Sequence, residues 1–263
     1  MKPYYEDSES GIAIYHGDCL DVLPTLGSDF DLVFTSPPYN LGSSPWPHLG
    51  HWRPGNSPGG GGKWPGGGDG STGIVYENHA DTMPWAEYVQ WQRTTLEHCW
   101  SLLSDTGAIF YNHKPRSIGG RLWMPLELNP DLPLRQIIVW ARSGGLNLTP
   151  TAYVPSHEWI MILAKPGWRL RDRGASGVGD VWRFNQESST HPAPFPLGLP
   201  ARAIETAGPK LVLDPFMGSG TTLRAAKDAG VRAVGIEKSE RYCEMAAKRL
   251  SQGVLFPVAE AAL

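Results

Sequence analysis

Apolar positions along the chain fall into short, mostly continuous runs separated by stretches of helical period. Residues 31–34, 108–111, 137–140, 159–163 and 231–236, with shorter runs at 12–15 and 211–213, are bounded by turn residues and predict strands. Residues 19–26 suit a short helical turn, and 223–229 a helix. Pro84 opens a longer amphipathic segment in which Trp85, Tyr88, Val89, Leu96, Cys99, Trp100 and Leu103 recur at helical spacing. Asp105-Thr106-Gly107 ends it. Alternation of this kind predicts an α/β fold, with a mainly parallel sheet and helices on both faces. Ligands of such sheets bind beyond the carboxyl ends of the strands, where this chain carries Ser36, Asp214 and Glu237.

The strand at 31–34 runs straight into Thr35-Ser36-Pro37-Pro38-Tyr39-Asn40. Proline has no N–H and a fixed φ, so the chain must leave the sheet in a stiff, extended form. Carbonyls of Ser36 and Pro37 are then left without ladder partners, beside an aromatic ring. A planar amine with two N–H groups fits those acceptors while its ring stacks on Tyr39. The second motif is Asp214-Pro215-Phe216-Met217-Gly218-Ser219-Gly220-Thr221, where a strand ends in an acid and a glycine turn opens a helix. Its glycines permit close backbone approach, and a helix N-terminus offers N–H groups to a carboxylate. Glu237 ends the next strand and suits a ribose diol. The turn lacks the Gly-Lys-Ser/Thr of a triphosphate loop, so a nucleoside bearing a carboxylate fits better. S-adenosylmethionine is such a molecule.

Together these motifs resemble the amino-DNA methyltransferases of the permuted β group, in which a Ser/Asp/Asn-Pro-Pro-Tyr/Phe motif precedes an Asp-Pro-Phe-x-Gly-Ser-Gly-Thr motif. His16-Gly17-Asp18-Cys19, Gly235-Ile236-Glu237 and the 191–196 segment match the same pattern, while 43–75 and 166–188 match less. The resemblance implies a Rossmann-like methyltransferase sheet in circularly permuted order, forming one catalytic domain over 1–263. It implies Ser36, Pro37, Pro38 and Tyr39 as the catalytic motif. For S-adenosylmethionine it implies Asp18, Asp214, Pro215, Phe216, Gly218, Ser219, Gly220, Thr221 and Glu237, with Asp18 on the adenine amino group. The expected reaction is methyl transfer to the exocyclic amine of a flipped DNA base. Ser before Pro-Pro-Tyr favours cytosine N4, with adenine N6 as the alternative. No Pro-Cys dipeptide is present, which disfavours C5 methylation. A cofactor-binding protein without activity is the alternative of another class. The family also brings two partner types, a second copy of the chain and a cognate restriction endonuclease.

Composition adds bounds. The 263 residues carry a net charge of −3 and are 41% hydrophobic, ordinary for a cytoplasmic globule, with no apolar run long enough for a membrane span. Three separated cysteines have no metal-ligand spacing and are expected to be buried thiols. Net acidity leaves room for a local basic face, and Lys165, Arg169, Arg171 and Arg173 are the candidate DNA contacts, in a short target-recognition region at 165–189. His113, Lys114, Arg116 and Arg121 form a second candidate group. Residues 43–75 contain nine glycines between Gly55 and Gly70 and read as a mobile loop after the catalytic motif. His157-Glu158, at a strand start, is expected to serve packing or hydrogen bonding rather than acid-base chemistry.

Overall fold

The computed structural model describes residues 1–41, 45, 82–118, 121–142, 153–185 and 195–253. Almost all of the glycine-rich run, part of the 165–189 region and residues 191–194 therefore lie outside the described residues. Among those described, one sheet runs in the order β1 (Tyr5–Asp7), β2 (Ile12–His16), β11 (Arg232–Glu237), β10 (Leu211–Asp214), β3 (Phe30–Thr35), β4 (Leu103–His113), β8 (His157–Ala164), β7 (Leu134–Ala141), β9 (Val181–Arg183). The block from β2 to β4 is parallel throughout, as is β7 with β9. Strand β1 pairs antiparallel with β2, and β8 runs against both of its neighbours.

That reversal of β8 decides what reaches the functional edge. His113 at the end of β4 pairs with Trp159 near the start of β8, whereas Ala108 pairs with Ala164. His157 and Glu158 therefore lie where the parallel strands end. Residues after Ala164 emerge at the opposite edge.

Side-chain alternation builds two apolar layers. Leu32, Phe34, Ala108 and Phe110 point to the side covered by α4 (Gly198–Ala207), α5 (Thr221–Asp228) and α6 (Glu240–Ser251). Val33, Ile109 and Tyr111 point to the other side, under α1 (Cys19–Val22) and α2 (Trp85–Leu102). Leu103, expected to continue the helix, has extended backbone and pairs with Phe30 instead. It stays buried in the α2 layer, so strand pairing is gained with no loss of apolar burial. A two-stranded hairpin, β5 (Arg116–Ile118) with β6 (Arg121–Trp123), projects after β4, and a short α3 (Arg173–Ser176) precedes β9.

Cys19 and Cys99 are buried in the α2 layer and Cys243 in the α6 layer. Burial pushes the Cys19 and Cys243 thiols up to about 12 and Cys99 well above its ordinary value. Among the described residues no helix is long and apolar enough to cross a membrane.

Candidate active site

Beyond Thr35 the proline pair carries the chain off the sheet, and its carbonyls are sorted by their partners. Tyr88 donates its hydroxyl to the Pro38 carbonyl at 3.0 Å and lies 2.8 Å from His113 Nε2. The Tyr88 proton is thereby assigned, so Nε2 must be the donor, while Nδ1 accepts from the Lys114 N–H at 2.9 Å. Full burial depresses His113 to about 3 and keeps it neutral. Asn40 turns the chain with φ of 53°, in the left-handed region that asparagine tolerates, and its amide donates to the Met83 carbonyl. Arg116, of the second candidate basic group, bonds the carbonyls of Tyr39, Asn40 and Leu41 at 3.2 Å each.

Behind the motif lies a buried polar cluster. The Tyr39 hydroxyl donates to Glu158 Oε2 at 2.9 Å and is 2.9 Å from Ser36 Oγ. Asn112 Nδ2 lies within reach of Ser36 Oγ, Tyr39 Oη and Glu158 Oε2, at 3.2, 2.8 and 3.0 Å. Arg142 approaches the other oxygen of Glu158 at 3.3 Å. Tyr39 is only 7% exposed, its ring 4.4 Å from that of His113 and 5.3 Å from Lys114 Nζ. The open aromatic face expected of Tyr39 is thus largely covered. Glu158 is held in this cluster by hydrogen bonds from Tyr39 and Asn112. Asn112 and Arg142 were not singled out by sequence, because nothing local marks them.

The second motif lies one strand away. Asp214 is fully buried, accepting from Thr35 Oγ1, Thr222 Oγ1 and the Phe216 N–H at 2.8, 2.6 and 3.1 Å. Burial raises it to about 6 against those bonds. With both oxygens so occupied, Asp214 braces the turn that follows it. Thr221 is likewise buried, its hydroxyl accepting from Arg249, and Pro215 is buried beside it. Gly218 and Gly220 have φ of 52° and 80°, and no side chain caps α5, so its first-turn N–H groups stay available to an anion. Ser219 and Phe216 are half-buried around this turn.

Glu237 accepts from the Gly218 and Ser239 N–H groups at 3.0 and 2.7 Å, and burial raises its pKa. Its carboxylate still has lone pairs for a hydroxyl donor. Asp18 follows β2, which pairs with β11 through His16 and Glu237, so the two acids share neighbouring strand ends. Burial raises the Asp18 carboxyl, but Lys238 at 3.0 Å and the Leu20 N–H outweigh it and hold it below its ordinary value. The donor set is therefore helix N–H groups for a carboxylate and two acids for hydroxyl or amine donors.

The basic run does not join this edge. Lys165 bonds through its backbone to Gly107 and lays its ammonium 4.4 Å from the Trp100 ring. Arg169 turns back onto the Pro166 and Trp168 carbonyls, and the Arg171 N–H bonds to Thr206 at the end of α4. Arg173 is exposed at the start of α3. The antiparallel course of β8 delivers this run to the far side of the sheet. Lys165, Arg169, Arg171 and Arg173, the candidate DNA contacts, thus lie away from the Ser36–Tyr39 motif. At the catalytic edge stand Lys114, His157 and Arg183 instead, the last paired with Ala141 at the end of β7.

Comparison with known proteins agrees with this architecture. The Type II methyltransferase M.ScaI of Streptomyces caespitosus is 29% identical over 95% of this chain and 84% of its own length. The solved PvuII DNA methyltransferase, described as cytosine-N4-specific, superposes with a TM-score of 0.69 at 18% identity, covering 97% of this chain and 91% of that one. A structure titled as an M1.HpyAVI–SAM complex gives a TM-score of 0.58 at 18% identity, covering 92% and 100%. The DNA methylase family of N6- and N4-methyltransferases matches residues 30–248, and the chain belongs to that family.

Proposed function

We propose that the protein methylates an exocyclic amine of a DNA base, cytosine N4 in preference to adenine N6, with S-adenosylmethionine as donor. The observation that carries this reading is the junction of the two motifs through Thr35 and Asp214. It holds the Ser36-Pro37 segment that follows β3 beside the uncapped turn of α5, which supports the reading. When bound, S-adenosylmethionine supplies an electrophilic methyl group. The α5 N-terminus suits its carboxylate, Glu237 its ribose hydroxyls and Asp18 its adenine amino group.

The chain's own part is to hold and orient the amine. An aromatic amine is a poor nucleophile because its lone pair is delocalised into the ring. Acceptors at Ser36 Oγ and the Pro37 carbonyl favour a pyramidal nitrogen, an interaction stronger in the transition state than in the planar ground state. Pro38 does not compete for the amine, since its carbonyl already accepts from Tyr88. A base within a duplex must be flipped out to reach these groups. For it to lie on Tyr39 the flexible Lys114 side chain over that ring has to move aside.

Nucleoside analysis of DNA incubated with the protein and labelled cofactor tests the reading. N4-methylcytosine is expected. N6-methyladenine would overturn the choice of base, and an absence of methylated nucleoside would overturn the reaction.

A further inference from the structure

The hydrogen bonds of the buried cluster have a direction that the donor count fixes. Tyr39 has one hydroxyl proton, and it points to Glu158 Oε2. The 2.9 Å contact between Ser36 and Tyr39 therefore has Ser36 as donor. Asn112 supports the order, because turning its amide over would set an oxygen against Glu158 Oε2. Glu158 meets only donors in Tyr39, Asn112 and Arg142, so it stands as an acceptor-only carboxylate. Burial follows the same direction. Ser36 is half-buried, while Tyr39, Asn112 and Glu158 are 7%, 1% and 4% exposed.

We infer that Ser36, Tyr39 and Glu158 form a proton relay that carries the surplus amine proton from the target base to Glu158. The inference rests on the amine-methylation reading above. As the amine lone pair forms the new N–C bond and the C–S bonding pair leaves with sulfur, the nitrogen gains positive charge. It then releases one proton to the free lone pair of Ser36 Oγ. Ser36 passes its own hydroxyl proton to Tyr39 Oη, Tyr39 passes its proton to Glu158 Oε2, and the N–H bonding pair restores a neutral methylated amine. No free tyrosinate or oxonium forms if the protons shift together, and the negative charge on Glu158 is consumed. Asn112 and Arg142 act as positioning residues for the accepting carboxylate. The proton returns to solvent by the reverse route through Ser36 once product has left.

Single-turnover methylation of a duplex substrate, compared for the parent, Tyr39→Phe, Glu158→Gln and the double variant, tests the relay. Tyr39→Phe keeps the ring and removes one link; Glu158→Gln keeps the shape and removes the acceptor. Each is expected to slow transfer roughly hundredfold, the scale of a lost general base. The double variant should be no slower than the slower single one, because one broken link already stops a chain. Cofactor affinity by calorimetry and base flipping by 2-aminopurine fluorescence should match the parent. Parental transfer should slow in deuterium oxide, and transfer by Tyr39→Phe should not. If Glu158→Gln fails to fold in a thermal scan, Tyr39→Phe carries the test alone. Transfer by Tyr39→Phe at the parental rate, or a loss explained by weaker flipping, overturns the relay. A parent inert on DNA would instead overturn the methylation reading.

Discussion

In the turn after β10 the polar groups find most of their partners close by in sequence, whereas around Ser36 they find most of them across the sheet. Asp214 takes the N–H of Phe216 and the hydroxyl of Thr222 beside one long-range bond from Thr35, and Glu237 takes the N–H groups of Ser239 and Gly218. Tyr39, by contrast, bonds to Glu158 from 119 positions away and Asn112 to Ser36 from 76. The cofactor half is therefore built largely within β10, α5 and β11, with Thr35 tying it to β3 and Asp18 to the end of β2. The catalytic half exists only when β3, β4 and β8 are assembled. Its hydrogen bonds report on the whole sheet, and its defects should appear as stability losses as well as activity losses.

The strongest way to break that contrast is Arg142→Met. Removing one member of a buried ion pair leaves the charge of Glu158 behind, and we expect a loss of about 3–5 kcal/mol in urea unfolding. Cofactor affinity of the folded fraction should be unaffected; a loss of under about 1 kcal/mol, as for an exposed pair, would show the pair to be ornamental.

Acid should strike the same half next. His113 is held near 3 by burial against an ordinary 6.5, so the unfolded chain binds more protons between those values. Stability attached to neutral His113 is full above pH 6.5 and falls by about 1.4 kcal/mol per pH unit below it. Unfolding free energies from urea titrations of parent and His113→Gln should diverge by about 2 kcal/mol between pH 7 and 5 on that scale. Asp214, raised by burial, works in the opposite sense between its ordinary 3.8 and about 6, but it is common to both proteins and cancels. Parallel pH profiles would refute the His113 assignment.

In the cofactor half, Glu237→Ala should weaken S-adenosylmethionine binding by about 1–3 kcal/mol, with little loss of fold. An unchanged calorimetric affinity would remove Glu237 from the ribose site. The smallest effect is expected at the far edge. Alanine at Lys165, Arg169, Arg171 and Arg173 should leave the salt dependence of DNA affinity as in the parent, whereas Arg183→Ala should flatten it by about one unit of slope. A flattened slope in the fourfold variant would restore that run as DNA contacts.

What the sequence made legible follows the same division. The longer strands, the mainly parallel course of the sheet, the long helix α2 and the two motifs at strand ends could be read, because apolar runs, helical period and turn residues are local signals. The three-residue strands β1, β5, β6 and β9 are too short to show a period, and Pro200 with Gly198 hides the start of α4. The edge at which the basic run emerges was not legible, because polarity of β8 is a tertiary property that no window along the chain contains. The hydroxyl role of Tyr39 was hidden for the same reason: its partners lie on β4 and β8.

The three cysteines turn the two-layered core into a gauge of its own opening. Each thiol is buried and its thiolate suppressed, so alkylation under native conditions proceeds through opened forms. Cys19 and Cys99 mark the layer under α2, and Cys243 the layer under α6. Labelling rates read peptide by peptide then tell whether the sheet loses its two coverings together or one before the other.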